Sequence, residues 1–156
     1  MIDNVPWTAY ELRPQEAADY PGKQDLLTCL SAFPDFHEAL FGGRPMYADC
    51  FSKFDEQFLF LKIDGSEGLE GSSFGDRSEI EDTLNAALHA DACGCVIGGG
   101  TGLRYSYVDL AAVDVANTIE VVRRVGVNGG LPARSWIQFY DPSMAGEWVG
   151  LTPTTP

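Results

Sequence analysis

Basic residues are scarce in this chain. Ten Lys and Arg stand against 23 Asp and Glu, a formal net charge of -13. A field of that sign repels phosphate backbones and anionic lipid, and no local basic cluster offsets it, so binding to nucleic acid or to a membrane surface is not expected. Long apolar runs are missing too: nothing approaches the roughly 20 residues of a membrane span. The opening stretch MIDNVPWTAYELRP lacks the basic start and apolar centre of a secretory leader. The cytoplasm is therefore the expected compartment. The acidity implies solubility first, and it also suits a basic protein partner.

Metal and thiol chemistry is thinly supplied. Histidine occurs only at His37 and His89, outside any H-E-x-x-H spacing, and both are expected at the surface. The four cysteines, Cys29, Cys50, Cys93 and Cys95, belong to a core-forming chain rather than a short secreted scaffold. Cys93-Gly94-Cys95 would need Cys29 and Cys50 to complete a zinc site, yet those two are far apart in sequence where a second close pair is usual. Free thiols, no metal and no cofactor are expected.

What is abundant is core material. Hydrophobic residues make up 45% and aromatics 12% of 156 residues, enough for a single domain that folds without staples. The stretch CVIGGGTGLRYSYVDLAAV, Cys95 to Val113, predicts two strands folded back on a glycine turn at Gly98–Gly102. In its second strand Val108, Leu110 and Ala112 alternate with Tyr105, Tyr107 and Asp109, a period of two that separates an aliphatic face from an aromatic one.

Around this hairpin the pattern is mixed. Residues 1 to 24 read as an irregular lead-in, broken by Pro6, Pro14, Pro21 and Gly22 and anchored by Trp7, Tyr10 and Tyr20. Leu26, Leu30 and Phe33 follow helical spacing from Asp25 to a stop at Pro34, and a second turn capped by Asp35 ends at Gly42-Gly43. After a loop, Phe58–Asp64 alternates as a strand. An acidic glycine loop follows, then a helix with a capping box at Ser78 and Glu81, a stripe of Ile80, Leu84, Ala87 and Leu88, and an end at Gly94. Beyond the hairpin, Asp114 caps a helix carrying Val115, Ile119, Val122 and Val125. SWIQFYD, residues 135–141, forms the last strand, with Ile137 and Phe139 on one face and Trp136, Gln138 and Tyr140 on the other. The tail is irregular, with Trp148 and Val149 docked.

The order strand, helix, strand, strand, helix, strand over residues 58–141 predicts an α+β, ferredoxin-like split βαβ. That is a four-stranded antiparallel sheet with two helices on one face, flanked by a helical N-terminal extension (1–57) and an irregular tail (142–156). The helices would meet Leu59, Leu61, Ile63, Val108, Leu110, Ile137 and Phe139. The opposite face would carry Phe58, Phe60, Lys62, Tyr105, Tyr107, Asp109, Trp136, Gln138 and Tyr140. Such a face is too apolar to leave in water. Three covers are open: the first 57 residues, a second copy in a two-fold dimer, or a ligand held between sheet and N-terminal segment.

Local motifs add no chemistry. Gly98–Gly102 lacks the lysine and following helix of a phosphate loop. Gly71-Ser72-Ser73-Phe74-Gly75 matches a nucleophile elbow in letters only, because the one later histidine, His89, sits in the next helix. A calcium loop starting at Asp64 fails at its sixth position, Leu69. Asp109, an ionisable group among tyrosines, is expected to pair with Lys62 or to face a ligand. The leading expectation is a non-enzymatic interaction module, either a homodimer through its aromatic face or an inhibitor-like protein toward a basic partner. The alternative is a small-molecule binder or enzyme with its pocket beneath the N-terminal segment.

Overall fold

The structure, a computed structural model, describes residues 5–14, 22–65 and 68–156. The anchor Tyr20, Pro21 and two positions of the acidic loop, Ser66 and Glu67, lie outside the described residues. In chain order the elements are β1 (Thr8–Glu11), β2 (Leu26–Ser31), α1 (Pro34–Phe41), β3 (Gln57–Asp64), α2 (Arg77–Ala90), β4 (Gly94–Gly102), β5 (Tyr105–Ala112), α3 (Val115–Asn128), β6 (Ser135–Phe139) and β7 (Trp148–Gly150). The strands form one antiparallel sheet of seven, in the order β1-β2-β4-β5-β3-β6-β7.

This corrects the four-stranded ferredoxin-like sheet with a helical N-terminal extension. The extension supplies β1 and β2, which widen the sheet beyond β4, and β7 widens it beyond β6. The helical reading of Leu26–Phe33 fails for an identifiable reason. The β2–β4 register shifts between Leu26 and Thr28, so one residue is bulged and Leu26 and Cys29 face inward three apart, while Leu30, assigned with Leu26 and Phe33 to the helical stripe, is exposed. A bulge thus copies the start of a helical period. Pro34 is not a stop but the first residue of α1, where its missing N–H leaves no hydrogen bond unmade.

The other helix ends also follow backbone chemistry. The Asp76 side chain accepts from Glu79 N–H at 3.1 Å, two residues ahead of the expected capping box, and Gly94 opens β4 instead of closing α2. Asp114 caps α3 by accepting from Asn117 N–H at 3.0 Å. The central hairpin turns at Leu103-Arg104, and the glycine run lies inside β4.

The sheet is sandwiched. On one side α2 and α3 press Ile80, Leu84, Leu88, Val121 and Val122 onto Leu59, Leu61, Ile63, Val108, Leu110 and Ile137. On the other side α1 and the segment after it bring Phe36, Ala39, Met46 and Ala48 onto Phe58, Phe60, Tyr105, Tyr107, Trp136 and Tyr140. Phe36 is the keystone of that layer, with its ring 4.7 Å from Phe58 and edge-on to Tyr140 at 4.9 Å. Among the described residues no helix is long and apolar enough to cross a membrane.

Candidate functional site: a buried ion cluster beside a cleft

Asp109 lies on β5 between Gly98 of β4 and Phe60 of β3, and no part of it reaches solvent. A carboxylate there must be fully paired to remain charged. Its Oδ1 accepts from Tyr140 Oη at 2.6 Å and pairs with the Lys23 ammonium, while His37 Nε2 is 2.9 Å from Oδ2. Burial alone would push the Asp109 carboxyl up, but the Lys23 charge and the hydrogen bond from His37 outweigh it and hold the group well below the usual carboxylate range. Lys23 is held over three rings, 5.2 Å from the centres of Phe60 and Tyr140 and 5.4 Å from that of Tyr107.

The imidazole of His37 bridges two strands. Its Nδ1 is 2.6 Å from Ser31 Oγ on β2, and both Ser31 and Asp109 stand opposite Gly98 across the ladder. The ring therefore passes over the glycine. A Cβ at Gly98 would come within 3.1 Å of His37 Cε1 and 2.8 Å of the Leu30 carbonyl, which is why the strand carries no side chain there. On the far face Gly99 lies beneath the Arg77–Glu81 ion pair of α2. Burial pushes the Glu81 carboxyl up to about 7 in spite of Arg77.

Ser31, His37 and Asp109 resemble a nucleophile string in composition only. All three are fully enclosed, and Ser31 Oγ already accepts from Phe33 N–H at 2.9 Å, so no substrate carbonyl can approach it. This string holds α1 on the sheet.

A second carboxylate closes the end of the hairpin. Asp25 Oδ2 accepts from the N–H groups of Arg104 (2.9 Å) and Tyr105 (3.0 Å), and Oδ1 accepts from Tyr107 Oη. Burial, reinforced by the neighbouring carboxylates, raises the Tyr107 and Tyr140 phenols above their ordinary value, so both stay protonated donors. Lys62 does not pair with Asp109. Its ammonium lies 4.0 Å from the centre of the Tyr105 ring and donates to the Gly22 carbonyl at 3.2 Å.

All nine side chains assigned to the aromatic face are therefore brought together, and all are buried. Eight have packing or polar partners within the chain. Gln138 is packed but not paired: it is 3% exposed, and neither Nε2 nor Oε1 has a hydrogen-bond partner among the described residues. It lines a cleft of about 590 Å³ between β3, β6 and the N-terminal segment, together with Leu26, Leu40, Phe41, Phe60 and Tyr140. A second cleft of about 720 Å³ lies between Phe33, Phe51, Phe54 and Cys95, and none of its lining residues holds an unpartnered buried polar atom.

The remaining candidates separate. Cys93 packs into the core beneath α2, whereas Cys95 packs toward the aromatic layer, so the two thiols face opposite sides of the sheet. Ser73 donates to the Gly129 carbonyl at 3.3 Å, and His89 lines the second cleft, so the elbow-like serine has no histidine beside it. Sequence reasoning missed Lys23, His37, Ser31 and Asp25. The one available signal was a glycine run within strand-forming sequence opposite a lone aspartate. Comparison with protein-family models, curated proteins and solved structures finds no match for this chain.

Proposed function

We propose that this protein binds a small molecule in the cleft between the aromatic sheet face and the N-terminal segment. The observation that carries this reading is the amide of Gln138. Buried polar side chains nearly always find partners, and leaving one unpaired costs on the order of 1–3 kcal/mol. Here Gln138 is one of the residues that line a concave, mostly apolar site of about 590 Å³, with its unpaired amide enclosed, and the size and composition of that site suit small-molecule binding. The aromatic face itself offers no comparable surface, because its rings are packed under α1 within the same chain.

The test is a ligand-observed NMR screen of a fragment library against the wild type and Ala145→Trp. Ala145 is exposed at the rim of the cleft, so the indole fills the space without entering the core. Fragments that bind the wild type and lose binding to the variant support the reading. Equal binding to both proteins overturns it.

A further inference from the structure

The cleft of about 720 Å³ shares no lining residue with the one beside Gln138. We propose that it is a second site and takes a free aromatic α-amino acid, with the ring among its phenylalanines, the carboxylate at Lys53 and the ammonium at Glu56.

Phe33, Phe51, Phe54 and Phe58 line this cleft, together with the small residues Gly94 and Ala111 at adjacent ends of β4 and β5. Its volume lies in the range that small-molecule sites occupy. Three of the rings pack on one another: Phe33 is edge-on to Phe51 at 6.3 Å and lies 6.1 Å from Phe58. Phe54 does not join them. It is 78% exposed and meets no ring among the described residues, yet the turn that carries it is fixed. Its N–H points to Ser52 Oγ at 3.2 Å and Glu56 Oε2 at 3.1 Å, and Asp55 reverses the chain with φ at 60°. A phenyl ring held in water on a fixed turn forgoes the burial that an aromatic occupant supplies.

The polar lining offers both signs of charge. Glu56 uses Oε2 to accept from Ser52 Oγ and from the Phe54 N–H, while its Oε1 has no partner and is not enclosed. The hydrogen bond from Ser52 holds this carboxyl below its ordinary value, so it is anionic at neutral pH. Lys53 is exposed and makes no hydrogen bond or ion pair among the described residues, so it does not join Glu56 although both line the cleft. Elsewhere Lys23, Arg77, Arg123 and Arg124 each pair with a carboxylate. A ligand with ammonium and carboxylate on one carbon answers both groups. It also carries no net charge, so the -13 of the chain neither attracts nor repels it. An aromatic anion leaves Glu56 unanswered, and an aromatic cation leaves Lys53 unanswered. His89, exposed in the last turn of α2, is a further N–H donor on the lining.

The experiment titrates the full chain with L-phenylalanine, 3-phenylpropionate, phenethylamine and L-alanine, following backbone amide chemical shifts. L-Phenylalanine is expected to shift Gly94 and Cys95 and to bind about three- to fivefold more tightly than either singly charged analogue. It should bind at least about tenfold more tightly than L-alanine. Lys53→Met should weaken L-phenylalanine and 3-phenylpropionate by about three- to fivefold and leave phenethylamine unchanged. Phe54→Ser should weaken all three phenyl compounds. Both replaced side chains are exposed, so neither variant disturbs the core. Ala145→Trp, at the other cleft, should leave these affinities as they are, so this site and that one fail separately. The proposal is overturned if L-phenylalanine leaves Gly94 and Cys95 unmoved, if a singly charged analogue binds as tightly, or if Lys53→Met or Phe54→Ser binds like the wild type. A chain that sediments as a dimer until Phe54 is replaced also overturns it and assigns the ring to a second copy.

Discussion

On the side of α2 and α3, the strands present Leu59, Leu61, Ile63, Val108, Leu110 and Ile137, and the layer between sheet and helices is aliphatic. On the side of α1, the same strands present Asp109, Lys62 and Gln138 among six aromatic rings, and Lys23 and His37 are drawn in to meet them. The first layer needs nothing beyond area and fit. The second takes charges out of water, which seldom adds stability over an apolar core of the same shape. A sheet that already has one dry core does not need a costly second one to fold. The polar layer is therefore the place where the chain departs from what stability alone would select, and the unpaired amide lies in it.

The contrast can be broken most severely at Asp109. Asp109→Ala should lower the free energy of urea unfolding by about 3–5 kcal/mol, because it strands Lys23 and His37 without their partner. A loss smaller than that expected for an aliphatic truncation such as Leu61→Ala, about 2–5 kcal/mol, would show that the cluster is not strongly coupled to the fold. The pH dependence has a definite sign. The folded carboxyl is depressed below its ordinary 3.8, so its stabilisation is present above that pH and is lost as pH falls through and below it. The alanine variant should lack that acid-side loss in an unfolding series.

Gly98→Ala comes next. Its Cβ would press on His37 and the Leu30 carbonyl, and we expect a cost of about 1–3 kcal/mol by thermal melting. A neutral outcome would mean that the imidazole does not need its path over the strand. Gln138→Leu runs the other way: without ligand it should stabilise the protein by about 1 kcal/mol, since it deletes an unpaired amide. Destabilisation would mean that the amide is satisfied in solution.

The smallest expected effect sharpens the comparison from the aliphatic side. Glu81 on α2 has its carboxyl raised from 4.5 to about 7, so the folded state holds that proton more tightly and stability falls as pH rises across this window. Glu81→Gln should flatten the curve between those values. An unchanged slope would assign it to another group.

Much of the inner sheet is legible from alternation. Gln57–Asp64, Tyr105–Ala112 and Ser135–Phe139 show period two, because each strand separates an aliphatic face from an aromatic one. The edges are not legible. β2 is disguised by its bulge, β1 has only Thr8–Glu11 to declare itself, and β7 spans three residues. The site was half visible. Asp109 and Gln138 could be placed on their face by register, but the partners of Asp109 arrive from 86 and 72 residues away along the chain, and no local pattern encodes such pairings. His37 reads as a surface residue because no H-E-x-x-H motif surrounds it in sequence, although its helix is placed almost as observed; its partners Ser31 and Asp109 come from β2 and β5.

At Gly98 and Gly99 the sheet is reduced to bare peptide. One hydrogen-bonded pair, His37–Asp109, lies against it on one side, and an ion pair, Arg77–Glu81, lies against it on the other. The two are separated by a film of backbone too thin to insulate them, and the negative charge of Asp109 is among the causes that raise the Glu81 carboxyl. The strand thus behaves like the dielectric of a small capacitor. Asp109→Asn, which removes charge from one plate, should lower the Glu81 titration midpoint on the other. An occupant of the cleft that disturbs the Lys23–Asp109 pair would be registered, without any movement of the sheet, as a change in proton occupancy on the opposite surface of the molecule.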